Sequence, residues 1–188
     1  MKNFKTLAIA LLCTISFVGA NAQTMKVDAS KSTINWLAKK VTGQHSGTVN
    51  VQNGTLIFKK KKLAGGNITV DMTSLTATDL SGEYQGKLNG HLKSDDFFGT
   101  DKFSTAKIVF KKVTLKSAGL YTVSANLTIK GKTNPITFEL ATTANSASAT
   151  LNIDRTKYDI KYGSGSFFDN LGDKAINDEF ELKVVLNY

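Results

Sequence analysis

Cysteine occurs once in the 188 residues, at Cys13, and proline once, at Pro135. One cysteine excludes an internal disulfide and any site built from several thiolates. One proline excludes a proline-rich linker, and no composition break divides the chain. Histidine is limited to His45 and His91, and arginine to Arg155. The two histidines lack the His-x-x-x-His spacing of a helical metal site, so no metal is expected. No Gly-x-Ser-x-Gly elbow is present, and Gly163-Ser164-Gly165-Ser166 lacks the Gly-Lys-Ser/Thr of a phosphate loop. That segment reads as a mobile loop. With no nucleophile or acid–base pair to place, catalytic residues are not expected, and neither is a cofactor.

Residues 1–22 have the layout of an export signal. Lys2 and Lys5 precede the apolar run Leu7-Ala8-Ile9-Ala10-Leu11-Leu12, and Ala20-Asn21-Ala22 fits the small-x-small cleavage rule. The run is short for a membrane span, although a retained anchor is the alternative. Leu12 is not the small residue a lipoprotein signal wants before its cysteine, so Cys13 leaves with the peptide. Residues 23–188 then form one domain with no cysteine, expected to be periplasmic or secreted. Losing Lys2 and Lys5 takes the net charge from +9 to +7. Such a surface attracts anionic lipid heads or acidic glycans; for an exported protein, nucleic acid is not an expected partner.

What the chain has in quantity is period-2 alternation, the mark of half-buried strands. Ile34, Trp36 and Ala38 share one face. Val49 and Val51 lead to Asn53-Gly54, a hairpin signal, and Leu56 and Phe58 follow on the return. Further rows are Ile68, Val70 and Met72; Ala106, Ile108 and Phe110; and Tyr121 to Ile129. Ile136 to Leu140, Ala149 to Ile153 and Phe180 to Tyr188 complete the set. About eight strands with short turns predict an all-β, antiparallel meander, and eight strands suit a closed barrel. Two segments interrupt it. Tyr84, Leu88 and Leu92 recur every four residues and predict a short helix within a long loop between the middle strands. Residues 162–174 form a second loop.

Several blocks resemble the YceI-like proteins. They are Ser32-Thr33-Ile34-Asn35-Trp36, His45-Ser46-Gly47-Thr48-Val49, and Gly90-His91-Leu92-Lys93-Ser94-Asp95-Asp96-Phe97-Phe98. Leu127-Thr128-Ile129-Lys130-Gly131 and Ile153-Asp154-Arg155-Thr156-Lys157-Tyr158 follow in the same order. The resemblance implies a lipocalin-like barrel whose interior holds a polyisoprenoid, an isoprenoid quinone or a related lipid. The chain departs from the family pattern at Phe103-Ser104-Thr105 and Lys157-Tyr158-Asp159.

The inward rows suggest a lining of Ile34, Trp36, Phe58, Ile68, Val70 and Met72, continued by Ile108, Phe110, Val123, Leu127, Phe138 and Phe180. The same rows equally describe a barrel filled by its own side chains, because periodicity does not distinguish a cavity from a core. Leu88, Leu92, Phe97, Phe98, Phe167 and Phe168 lie in the interruptions and are expected at the barrel mouth, as a rim or a permanent plug. Arg155 is expected to pair with an acidic residue such as Asp173 or Asp178. Lys59 to Lys62 reads as a solvated turn that can also touch an anionic membrane transiently. The expected function is carriage or sequestration of a hydrophobic isoprenoid-like lipid by a non-enzymatic protein. An outer-membrane barrel and a lipid-modifying enzyme are the alternatives. Oligomeric state is left open.

Overall fold

The computed structural model describes residues 22–188. The expected leader lies outside the described residues except for Ala22. The strands are β1 (Ala22–Lys26), β2 (Asp28–Lys40), β3 (Gly43–Lys59), β4 (Lys62–Ala77), β5 (Thr105–Ser117), β6 (Leu120–Ile129), β7 (Lys132–Thr142), β8 (Ser146–Asp154) and β9 (Ile176–Asn187). One α-helix, α1 (Gly82–Lys93), connects β4 to β5. All pairings are antiparallel, in the order β3-β2-β9-β8-β7-β6-β5-β4, and β4 returns to β3. Eight strands therefore close a barrel. β1 is a ninth, laid along the far half of β3 from Ala22↔Lys59 to Lys26↔Thr55.

Alternation becomes burial most plainly in β6, where Tyr121, Val123, Ala125, Leu127 and Ile129 all point inward and are buried. Tight turns reverse the strands. Lys60 and Lys61 have φ of 50° and 62°, and Lys130 and Gly131 have 48° and 72°, the left-handed geometry of two-residue hairpins. Asn53-Gly54 is a correction. No hairpin forms there, and β3 runs straight through with irregular register between Val51 and Asn53. Gly54 serves a close approach instead. A Cβ on it would lie 2.5 Å from Ile68 Cδ1, and its carbonyl accepts from Val27 N at 2.9 Å.

The barrel has two unlike ends. At one, Leu56, Leu63, Tyr121 and Val123 fill the interior, and Leu63 N donates to the Tyr121 hydroxyl at 3.2 Å. At the other lie α1 and the loop to β5. α1 has the predicted position, and amide side chains fasten it to the end of β4. Gln85 Nε2 donates to Ala77 O at 2.7 Å, Asn89 Oδ1 accepts from Ala77 N at 2.8 Å, and Asn89 Nδ2 donates to Thr76 Oγ1 at 2.9 Å.

Candidate functional site

Between these ends an axial cavity of about 160 Å³ remains. β2 contributes Ile34 and Trp36; β4 contributes Ile68, Val70 and Met72; β5 contributes Ile108 and Phe110. Leu127, Phe138 and Phe180 come from β6, β7 and β9, while Leu92, Phe97 and Phe98 close over it from α1 and the following loop. Phe98 and Phe180 meet edge to face across the rim, centroids 6.3 Å apart. Ala38, Val49, Ala106, Leu140, Ala149, Leu151, Leu182, Val184 and Leu186 also line the cavity. They belong to the alternating rows, and that phase was the signal for them. Such a carbon-lined space holds water poorly and accepts apolar matter.

Five expected residues stand elsewhere. Val123 is fully buried in the filled end, where packing leaves it no free surface. Phe58 packs its ring on Tyr188, centroids 5.7 Å apart. Leu88 packs against the core from α1 without reaching the cavity. Phe167 and Phe168 are about half exposed, on the outside of their loop, where Lys161 Nζ lies 4.9 Å from the Phe167 ring centroid. Tyr84 faces solvent.

The family model of the YceI-like domain matches residues 25–188. The chain belongs to the YceI-like family. A relative in Vibrio campbellii, a UPF0312 protein, is 29% identical over 143 residues, covering 73% of this chain and 72% of its own. A Staphylococcus aureus UPF0312 protein is 46% identical over 52 residues, 28% of each chain. Among solved structures, Burkholderia cenocepacia BcnA is similar at a TM-score of 0.66 and 22% identity, over 86% of this chain and 99% of that one. A polyisoprenoid binding domain from Saccharophagus degradans is similar at 0.58 and 20%, over 87% and 96%. At these identities the likeness is one of fold.

Among the described residues, this YceI-like barrel's cavity is lined by two polar or charged side chains besides the Trp36 indole: Arg155, just after β8, and Asn177, at the start of β9. Arg155 is buried and fully engaged. Nε donates to Asn177 O (3.0 Å), Nη1 to Ile160 O (2.9 Å) and Tyr162 O (2.8 Å), and Nη2 to Ile176 O (2.9 Å). Its ionic partner is Asp178, at 3.5 Å, one of the two expected. Burial lowers the guanidinium pKa, and the charges of Asp178 and Asp154 oppose that. The guanidinium thus staples the loop after β8 to the start of β9.

The same hub corrects the expectation of a mobile 163–166 segment. Ser164 is buried. Its N donates to Lys161 O, its O accepts from Phe167 N and Phe168 N, and its Oγ accepts from Ser166 N. Ser166 Oγ donates to Asp178 Oδ2 at 2.5 Å.

The histidines are kept apart, each beside its own carboxylate. His45 Nδ1 lies 2.8 Å from Asp79 Oδ2, and His91 Nε2 lies 3.7 Å from Asp96. The His91 ring stands edge-on to Phe97 and Tyr162, at 4.9 and 4.6 Å, and its carbonyl accepts from Ser94 N and Oγ. Trp36 Nε1 is buried with no partner among the described residues.

Proposed function

We propose that the protein binds the hydrocarbon tail of an isoprenoid lipid or isoprenoid quinone inside the barrel, and that it carries or sequesters that lipid after export to the periplasm or beyond. The observation that carries this reading is the axial cavity walled almost wholly by apolar side chains. Each buried CH₂ contributes about 0.8 kcal/mol. Association costs about 4–15 kcal/mol, so a few prenyl units suffice to offset it. The polyisoprenoid binding domain from Saccharophagus degradans supports the same ligand class. The wall offers carbon surface and a guanidinium already committed to the backbone, which favours binding over turnover. Outward positions such as Lys107, Thr122, Thr137 and Glu139 are mostly polar. That is the reverse of a membrane-spanning barrel, which turns its apolar face to lipid.

A basic tip supports transient contact with an anionic membrane. Lys59, Lys60, Lys61 and Lys62 form the β3–β4 turn at the filled end. Each lysine near an anionic surface adds about 1 kcal/mol of attraction.

The test is mass spectrometry of an organic extract of the protein purified without detergent, joined to titration with added polyprenol and isoprenoid quinone. A co-purified prenyl lipid is expected. A clean extract together with no binding of either added lipid overturns the reading.

A further inference from the structure

The barrel wall is not hydrogen-bonded all the way round. β7 pairs with β6 along its length, from Leu120↔Ala141 to Ile129↔Lys132, and β8 pairs with β9 from Ser146↔Asn187 to Asp154↔Glu179. β7 and β8 pair with each other only at Ala141↔Ser148 and Thr142↔Ala147. Continued, that register would set Phe138 opposite Leu151, Thr137 opposite Asn152 and Ile136 opposite Ile153. A cleft of about 100 Å³ lies between those residues instead. Phe138 and Leu151 line both the cleft and the axial cavity, so the two spaces share a wall made of side chains. The slit is fastened at both ends, by the short ladder at one and by Asn134 Nδ2 donating to Lys157 O (2.8 Å) at the other. Within it, Pro135 has no N–H to offer a neighbouring strand.

We propose that this slit is the side door through which a flexible apolar chain enters and leaves the barrel; the proposal rests on the lipid-binding reading above. Widening the wall along a ladder breaks interstrand hydrogen bonds; the β4–β5 ladder also stops, at Asn67↔Val109, but toward the filled end. Between β7 and β8 there is no ladder to break beyond Ala141, among the described residues. Thr137, Thr150 and Asn152 along the slit are exposed, so opening it uncovers main chain at the solvent-facing surface rather than in the core. The barrel ends are less suitable. One is filled by Leu56, Leu63, Tyr121 and Val123, and the other lies under α1 with Phe97 buried beneath it. The half-buried Phe138 ring, edge to face with Phe110 at 6.0 Å, is the leaf of the door. Its rotation joins the slit to the cavity without moving a strand. A gap of this kind passes an alkyl or prenyl chain in single file and excludes a rigid fused-ring lipid.

The test closes the slit covalently. In a chain carrying Cys13→Ser, Thr137→Cys and Asn152→Cys place two outward-facing thiols across it, to be joined by oxidation or, over a wider gap, by a short bis-maleimide. A second pair, Thr76→Cys with Asn89→Cys, locks α1 to β4 instead. Loading is followed in stopped flow by energy transfer from Trp36, the single tryptophan and a cavity residue, to the fluorescent polyene cis-parinaric acid. The closed slit is expected to slow loading at least about tenfold, while the locked helix leaves it within about twofold. Reduction of the disulfide restores the rate. Equal loading with the slit open and closed, or slowing by the helix lock alone, overturns the side door and leaves the lipid-binding reading intact. No energy transfer in the uncrosslinked protein overturns both.

Discussion

The Trp36 ring occupies the space over Gly47, its cross-strand partner in the β2–β3 ladder. A Cβ on Gly47 would lie 2.5 Å from Trp36 Cζ2 and 1.9 Å from the Thr76 carbonyl oxygen. The glycine is therefore required by packing, since both obstacles are held by the sheet. Gly47→Ala is expected to cost about 3 kcal/mol, the upper range for overpacking, read as a lower urea midpoint. Gly65→Ala is the control. Its added methyl meets only Ile57 side-chain atoms at 3.7 and 3.9 Å, so stability is expected to hold or rise slightly. Equal effects of the two substitutions would show that the ring does not sit where described.

Tyr158 is buried to 1% exposure, and its hydroxyl has no hydrogen-bond partner among the described residues. Burial, with a smaller contribution from the charge of Asp154, pushes its pKa up to about 12. A phenol whose folded pKa lies above its unfolded value stabilises the fold fully below about pH 10, and that contribution is lost as pH rises toward 12. Tyr158→Phe removes an unsatisfied polar group and is expected to be neutral or to stabilise by about 1 kcal/mol at pH 7. It should also flatten the alkaline fall in stability. Unfolding curves at pH 7 and pH 11, with phenolate absorbance, measure both effects.

Much of this architecture was legible because alternation survives translation into burial. The β6 row reads as one wall of a barrel, and the spacing of Leu88 and Leu92 reads as one helix face. Depth along the axis has no such signature. Val123 and Leu127 occupy the same phase of the same strand, yet one lies in the filled end and the other faces the cavity. β1 carries no apolar alternation in Ala22–Lys26 and is held by edge pairing alone. Asn53-Gly54 is ambiguous in sequence because glycine answers two demands, turning and close approach, and a dipeptide does not say which. Arg155 stood out by being the only arginine, but its four carbonyl acceptors come from backbone that only the fold brings together.

The Arg155–Asp178 hub sets an acid limit on stability. Burial raises the Asp178 pKa, but the hydrogen bond from the Ser166 hydroxyl, the nearby Ser164 hydroxyl and the charge of Arg155 outweigh it and hold the carboxyl below its usual range. A depressed carboxylate pKa stabilises the fold above the unfolded value, about 3.9, and that contribution disappears as pH falls through the folded value. Asp178→Asn is expected to cost about 1–3 kcal/mol at pH 7 and to make stability less steep below pH 4. Arg155→Lys should cost about 3–5 kcal/mol, because an ammonium cannot reach four fixed carbonyls as a planar fork does. Urea unfolding from pH 2 to 7 reads both; an unchanged acid slope in Asp178→Asn would remove the hub from the account.

Filling the cavity separates its role in binding from its role in folding. Ala106 is buried on β5, opposite Val70 in the β4–β5 ladder, and both residues line the cavity. Ala106→Phe places a ring in space the barrel does not otherwise use. A natural core would lose stability on such overpacking, whereas cavity filling commonly adds about 0.5–2 kcal/mol. The variant is therefore expected to keep its far-UV spectrum and to hold or raise its urea midpoint. Parinaric acid binding should weaken at least about tenfold, which corresponds to about 1.4 kcal/mol. Lys107→Ala, one residue along and facing outward, should change neither property. Full affinity in a stable Ala106→Phe barrel would mean that the chain is held somewhere other than the axis, and the outer aromatic surface around Phe167 and Phe168 would become the place to look.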